Sequence, residues 1–167
     1  MPHTEARIRS LGEPGDLGWV IMAHGEVYAA EFGWNTDFER LVLEIVAEFA
    51  RGDASADAAA AWIAERDGRR VGCVFCVADG EPGVARLRIL LVDPDARGQR
   101  LGHRLVQTAL DFARDVGYDR VRLWTNHPLV AARRIYLDAG FSLVSEAEHE
   151  SFGVRLTGQV YELTLAA

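Results

Sequence analysis

Apolar positions along the chain follow two different periods. Phe38, Leu41, Val42, Ile45 and Phe49 recur every three or four residues, which a helix gathers onto one face. Thr36-Asp37-Phe38-Glu39 just ahead reads as a capping box with Thr36 as the cap. Asp16 is placed to cap an earlier helix that runs to Phe32 and stops before Gly33. From residue 61 the pattern turns strand-like. Segments 61–66 and 71–78 flank Asp67-Gly68, a hairpin signal, and a turn at residues 79–83 leads into a third strand, Val84–Val92. Leu101, Leu105, Ala109, Phe112 and Val116 restore the helical period as far as Gly117. Residues 120–125 read as a strand and 129–139 as a short helix ended by Gly140. Residues 141–144 and 160–165 read as two closing strands, and 7–11 as a short opening one. The order predicts an α/β fold: one mixed, mostly antiparallel sheet with helices on both faces. No repeat, linker or low-complexity tract interrupts it, so residues 1–167 read as one domain.

The passage from the third strand into the next helix carries chemistry. After Asp93-Pro94 come Arg97, Gly98, Arg100, Gly102 and Arg104. A helix start leaves backbone N–H groups without partners and carries partial positive charge. Glycines let a ligand approach the backbone, and arginines suit phosphate oxygens. The turn therefore reads as a pyrophosphate cradle, or else as a solvated helix start with surface arginines. The GK[ST] of a P-loop is missing, and so is the dinucleotide motif GxGxxG.

Arg97-Gly98-Gln99-Arg100-Leu101-Gly102 corresponds to the hallmark [R/Q]xxGx[G/A] at all but its central glycine, and Tyr136-Leu137-Asp138-Ala139-Gly140-Phe141 supplies a tyrosine in a short helix ending in Gly-Phe. On these motifs and their spacing the chain resembles the GNAT superfamily of acyl-CoA N-acyltransferases, from about residue 7 to 165. More narrowly, ARGQRLGHRLV, RLWTN, LVAARRIY and HESFGVRLTGQVYEL resemble the acetyltransferase half of proteins fused to MarR-type regulators, without the winged-helix half. The chain departs from the pattern at two positions. Arg100 stands where the hallmark has its central glycine, and Leu129 stands seven residues before the tyrosine, where the family often has an asparagine.

The resemblance implies a GNAT fold with a central splayed parallel strand pair and acetyl-CoA as co-substrate, with no metal. Backbone at Leu90, Leu91 and Val92 would hold pantetheine. Arg97, Gly98, Gln99, Arg100, Leu101, Gly102 and His103 would hold the diphosphate, with Asn126 and Arg133 as further cofactor contacts. Tyr136 would protonate the leaving thiolate while the acceptor amine attacks the thioester directly. The base is not assigned: Glu31, His24, Glu65 and His127 are candidates beside a water chain. Arg86 and Arg88 share one strand face by two-residue alternation, and Arg88 near the acceptor would favour a carboxylate-bearing substrate. A solvated face pairing with surface acids is the other reading of the same residues. Glu31 and His24 are further substrate-side candidates.

Composition narrows this only in places. The net charge of −7 disfavours nucleic acid and pulls toward cationic amines, against the arginine pair. All 18 of the lysine-or-arginine positions are arginine, so a Schiff-base lysine is excluded. No run approaches a membrane span of ~18 apolar residues, and no secretory signal opens the chain, so a cytoplasmic location is expected. Cys73 and Cys76 form a CxxC, but no second ligand pair is spaced for zinc. Three residues apart on a strand they point to opposite faces, as core residues would. The expected function is an N-acetyltransferase acting on a small-molecule primary amine, with a second copy of the chain as a candidate partner. The alternatives are an acyl-CoA-binding sensor and a protein acetyltransferase.

Overall fold

The computed structural model describes residues 4–52 and 58–166. Among them, eleven elements follow the order β1 (Arg7–Ser10), α1 (Asp16–Phe32), α2 (Thr36–Arg51), β2 (Ala60–Arg66), β3 (Arg69–Ala78), β4 (Val84–Val92), α3 (Leu101–Asp115), β5 (Arg120–Asn126), α4 (Val130–Asp138), β6 (Ser142–Ser151) and β7 (Val154–Thr164), with a 3₁₀ turn at Pro94–Ala96. The seven strands form one sheet ordered β1-β2-β3-β4-β5-β7-β6. Every neighbouring pair is antiparallel except β4 and β5.

The sheet separates two apolar clusters. On one face Leu105, Ala109 and Leu110 of α3 and Tyr136 of α4 pack against Val74, Cys76, Leu87 and Leu123. On the other, Val20 of α1 and Val42 and Val46 of α2 pack against Ile63, Cys73, Phe75 and Leu91. Cys73 and Cys76 thus face opposite layers, both fully buried. Burial pushes both thiols up, Cys76 to about 12, so neither forms a thiolate readily.

Three details differ from the sequence expectation. The helix expected to start on Thr36 is capped by Asn35, whose side chain accepts from the Asp37 N–H. Thr36 is already helical. Asp16 is likewise the first residue of α1 and not its cap. Gly15 holds the cap position, and the Asp16 carboxylate accepts from the Gly12 and Glu13 N–H groups and from Arg9 and Arg70. The closing strands run far beyond 141–144 and 160–165, as a hairpin turning at Phe152-Gly153, both with positive φ. Nearly all side chains of β6 are exposed, so no apolar alternation marks its full length in the sequence. On α2, Val46 is buried and Leu41 lies partly exposed beside a cavity.

Two features shape the centre of the sheet. β4 and β5 pair only from Val84–Arg86 to Arg120–Arg122 and then diverge. β4 also carries an extra residue against β3, where Cys73 pairs Leu91 but Phe75 pairs Arg88. Ile89 in this bulge has φ 45°, a strained conformation for a β-branched residue. The bulge changes the strand's phase. Leu87 and Leu90 face the α3 layer, whereas Ile89 and Leu91 face α1 and α2.

Candidate active site

The divergence of β4 from β5 leaves the far end of β4 without a strand partner on that side, a costly state for backbone groups unless a ligand serves them. Two cavities open there, of about 550 Å³ and about 360 Å³. Tyr28, Leu90, Leu129 and Ala132 line both, so the cavities adjoin across the splayed strands.

The larger cavity is walled by the end of β4, the start of α3, and α4. Leu90, Leu91, Val92, Arg97, Gly98, Arg100, Gly102 and His103 all line it. Its floor at α3 is suited to an anion. The α3 N-terminus has no side-chain cap and no acidic residue in its first turn, unlike α2, so its leading N–H groups are left for a ligand. Gly102 sits where an added Cβ would run into the Ile135 side chain of α4, so the glycine keeps the two helices close. Arg100, at the hallmark's central glycine position, adopts the left-handed conformation with φ 56° that glycine favours. The backbone shape of the motif survives, and a cation is added at the rim. Arg97 is paired with Glu31 of α1 at 2.6 Å, so a phosphate there would compete with a carboxylate. His103 is hydrogen-bonded to Asp138 of α4 at 2.9 Å, which holds that carboxyl below its usual range. Gln99 is exposed and Leu101 is buried in the core; neither lines the cavity.

The smaller cavity holds Tyr136. The residue is 7% exposed, meets Phe141 edge-on, and has its phenol pushed well above the ordinary tyrosine value by burial and then by Tyr28. It therefore stays protonated and able to donate. Arg86 and Arg88 both line this cavity, as their shared strand face required. Asn126 also lies here rather than in the larger cavity, and its Oδ1 accepts from His149 Nε2. Arg133 lines neither cavity and donates to the His127 carbonyl and, at 3.5 Å, to Gln159.

The four base candidates separate by position. Glu65 is held by Arg9 at 2.7 Å, outside both cavities. His127 lines neither and spends Nδ1 on the Thr157 N–H. Glu31 lines the larger cavity, paired with Arg97. His24 lines the smaller one. Its Nδ1 lies 2.7 Å from the Val20 carbonyl, which can only accept, so Nδ1 carries the proton and Nε2 presents a lone pair. Nε2 is buried with no partner among the described residues. Burial lowers this imidazole to about 4, against the opposing pull of the Val20 and Ile89 carbonyls, so it is neutral at pH 7.

Sequence reasoning passed over Tyr28 and the aromatic wall of Trp34, Phe38 and Phe152. Tyr28 lies within 4.6–5.3 Å of Phe38 and Trp34 by ring centroid. Apolar residues surround α1 without a clear stripe, so no pattern marked Tyr28. Thr125 was likewise missed; its Oγ1 is buried without a partner in the smaller cavity.

Comparison with known proteins agrees with this architecture. Residues 19–141 match the family model described as Acetyltransferase (GNAT) family. Human N-acetyltransferase 8B is 34% identical over 90 residues, covering 52% of this chain and 40% of that protein. Mycothiol acetyltransferase from Sanguibacter keddieii is 38% identical over 91 residues, covering 52% of this chain and 29% of that protein. The chain thus spans well under half the length of either relative. Among solved structures, yncA from Salmonella typhimurium, determined with its cofactor acetyl-CoA, superposes with a TM-score of 0.77 at 18% identity over 98% of this chain and 96% of that one. With the splayed strand pair, the uncapped α3 and a family model spanning most of its length, this chain belongs to the acetyltransferase (GNAT) family.

Proposed function

We propose that the protein transfers an acetyl group from acetyl-CoA to a primary amine of a small molecule, by direct attack in a ternary complex. The observation that carries this reading is the meeting of the two cavities at Tyr28, Leu90, Leu129 and Ala132, with Tyr136 on the smaller side. The larger cavity would take acetyl-CoA, its diphosphate at the α3 start beside Arg97, Arg100 and His103. Its pantetheine amides would serve the unpaired backbone of Leu90, Leu91 and Val92. The acceptor would enter the smaller cavity. The amine nitrogen attacks the acetyl carbonyl carbon, the C–S bond breaks, and an amide and free CoA result. The amine gives up one proton and the thiolate gains one.

Tyr136 supplies the proton to the thiolate and regains one from solvent, which also takes up the amine's proton. His24 Nε2 accepts a hydrogen bond from the amine and aims its lone pair. An imidazole lowered to about 4 is a poor proton sink, so it orients a neutral amine and leaves deprotonation to solvent. Holding two reactants in line can supply ~7–11 kcal/mol of the barrier, more than the ~10²–10⁴-fold of a positioned acid. We also read the chain as kin to the acetyltransferase half of MarR-type regulator fusions, working in the cytoplasm.

The test is release of CoA thiol from acetyl-CoA with a panel of small amines, with the acetylated product identified by mass. Thiol release that depends on the amine supports the reading. Acetyl-CoA binding without release, whatever the amine, would make the protein a sensor. Release with peptide amines alone would make it a protein acetyltransferase.

A further inference from the structure

We infer that the smaller cavity selects an amine that also bears a carboxylate and an apolar side chain, an apolar or aromatic amino acid, with Arg88 holding the carboxylate. The reacting chemistry rests on the acetyl-transfer reading above; the binding selectivity does not.

Charge inside the cavity is the first argument. Among the described residues its lining includes Arg86 and Arg88 and no aspartate or glutamate, although the chain as a whole carries a net −7. A polyamine would bring a second cation against two arginines with no acid to receive it. The two arginines are not equivalent. Arg86 donates to Asp79 at 3.0 Å, and its guanidinium stacks on Trp124, 3.8 Å from the ring centroid. Among the described residues Arg88 has only Glu48, at the 3.5 Å limit of a hydrogen bond, and that carboxylate is 62% exposed while the Arg88 side chain is 22% exposed. A half-buried cation with so weak a partner favours a ligand carboxylate, which can take both arms of the guanidinium. Loss of hydration and the adjacent Arg86 both disfavour the charged state of Arg88, and the negative charge of a bound carboxylate would offset both.

Unpartnered polar atoms are the second, independent argument. The described residues hold two buried side-chain polar atoms without a hydrogen bond, His24 Nε2 and Thr125 Oγ1. Both residues line this cavity. Buried polar atoms are rarely left unpaired, so each calls for a ligand group. Nε2 can only accept, which suits an amine N–H. The arginine pair further favours the neutral, nucleophilic form of that amine, since like charges nearby lower its pKa.

The third argument is shape. Trp34, Phe38 and Phe152 pack with centroids 4.9–5.1 Å apart and line the same cavity, an apolar seat for a side chain. A volume of about 360 Å³ lies near the lower end of the ~300–1,000 Å³ usual for ligand sites, enough for one amino acid. The bulge at Ile89 explains the placement. It keeps Arg86 and Arg88 on the side of α1 and α2 while turning Leu90 back toward α3.

The test compares L-phenylalanine, phenethylamine and spermidine, in binding to the CoA-loaded protein by tryptophan fluorescence and in CoA release from acetyl-CoA. Phenylalanine should bind about 10- to 100-fold more tightly than phenethylamine, the difference expected for hydrogen bonds to a charged group. Arg88→Gln should erase that preference by weakening phenylalanine alone. Its retained thermal shift with CoA shows that the variant is folded. Equal binding of phenylalanine and phenethylamine, tighter spermidine binding, or an equal loss for both ligands in Arg88→Gln would each overturn the inference. CoA release with spermidine, with phenylalanine neither bound nor acetylated, would sink it while leaving acetyl transfer intact. Selective phenylalanine binding with no CoA release would uphold the inference and sink acetyl transfer instead.

Discussion

Replacing His24 by phenylalanine should make the protein more acid-resistant while impairing catalysis. The ring is 1% exposed, and its stack on Tyr28, with centroids 5.8 Å apart, can be kept by a phenyl group. At pH 7.5 two effects oppose. Removing the unpartnered Nε2 relieves a penalty of ~1–3 kcal/mol, while losing the Nδ1–H bond to Val20 costs ~0.5–1.5 kcal/mol. The variant should be equal or modestly more stable there. Lower pH separates the two proteins. The folded-state value of about 4 lies below the 6.5 of an ordinary imidazole. As pH falls, the unfolded chain therefore binds the proton first, and stability is lost from pH 6.5 down to about 4. With ~1.4 kcal/mol lost for each pH unit crossed between those two values, His24 should cost the wild type about 2 kcal/mol by pH 5 and about 3 kcal/mol at pH 4. Carboxylates titrate in both proteins and cancel in the difference. Urea unfolding at pH 7.5, 5 and 4 measures it, and the stability gap should widen in favour of phenylalanine. A gap constant to within ~0.5 kcal/mol between pH 7.5 and pH 5 would refute a buried neutral imidazole at this site. With CoA release as the assay at pH 7.5, the same variant should lose activity despite its stability, because Nε2 no longer orients the amine.

Tyr136→Phe keeps the ring against Phe141 and removes only the hydroxyl, so kcat should fall within ~10²–10⁴-fold with KM little changed. Steady-state kinetics with chemistry limiting check this, and an unchanged kcat would leave Tyr136 as packing. Acetyl-CoA at 100 times its Kd should stabilise the wild type by ~2.7 kcal/mol, which raises Tm by ~5–10 °C for a chain of this size. Gly102→Glu should abolish that shift, since the side chain collides with Ile135 and sets a carboxylate at the cradle. A normal shift in the folded variant would place the diphosphate elsewhere. Asp16→Asn should cost ~3–5 kcal/mol in urea unfolding by breaking a fully buried carboxylate network with Arg9 at 2.8 Å and Arg70 at 2.9 Å. A loss under ~1 kcal/mol would show that network to be dispensable.

Local chemistry made much of this protein legible in its sequence. Helical spacing placed the start of α3 and the capping glycine beyond it, and Asp67-Gly68 marked the β2–β3 turn. The hallmark around Arg97 and Gly102 pointed to the larger cavity, because a helix start after a strand is a local device whose N–H groups need no distant partner. Two-residue alternation put Arg86 and Arg88 on one face, and three-residue spacing sent Cys73 and Cys76 to opposite layers. Long-range packing decided the rest. β6 carries no apolar alternation, and only pairing with β7 makes it a strand. The bulge at Ile89 depends on register against β3, which no local pattern encodes. His24 and Tyr28 gain their meaning when α1 is laid over the bulged strand. That burial neutralises one imidazole, leaves its Nε2 without a partner and sets Tyr28 between the two cavities. The sequence set which residues could do chemistry, since periodicity and turn preferences act over a few residues. Only the tertiary structure decided which of them share a desolvated space, because burial, charge balance and the pairing of polar atoms are sums over segments distant in the chain.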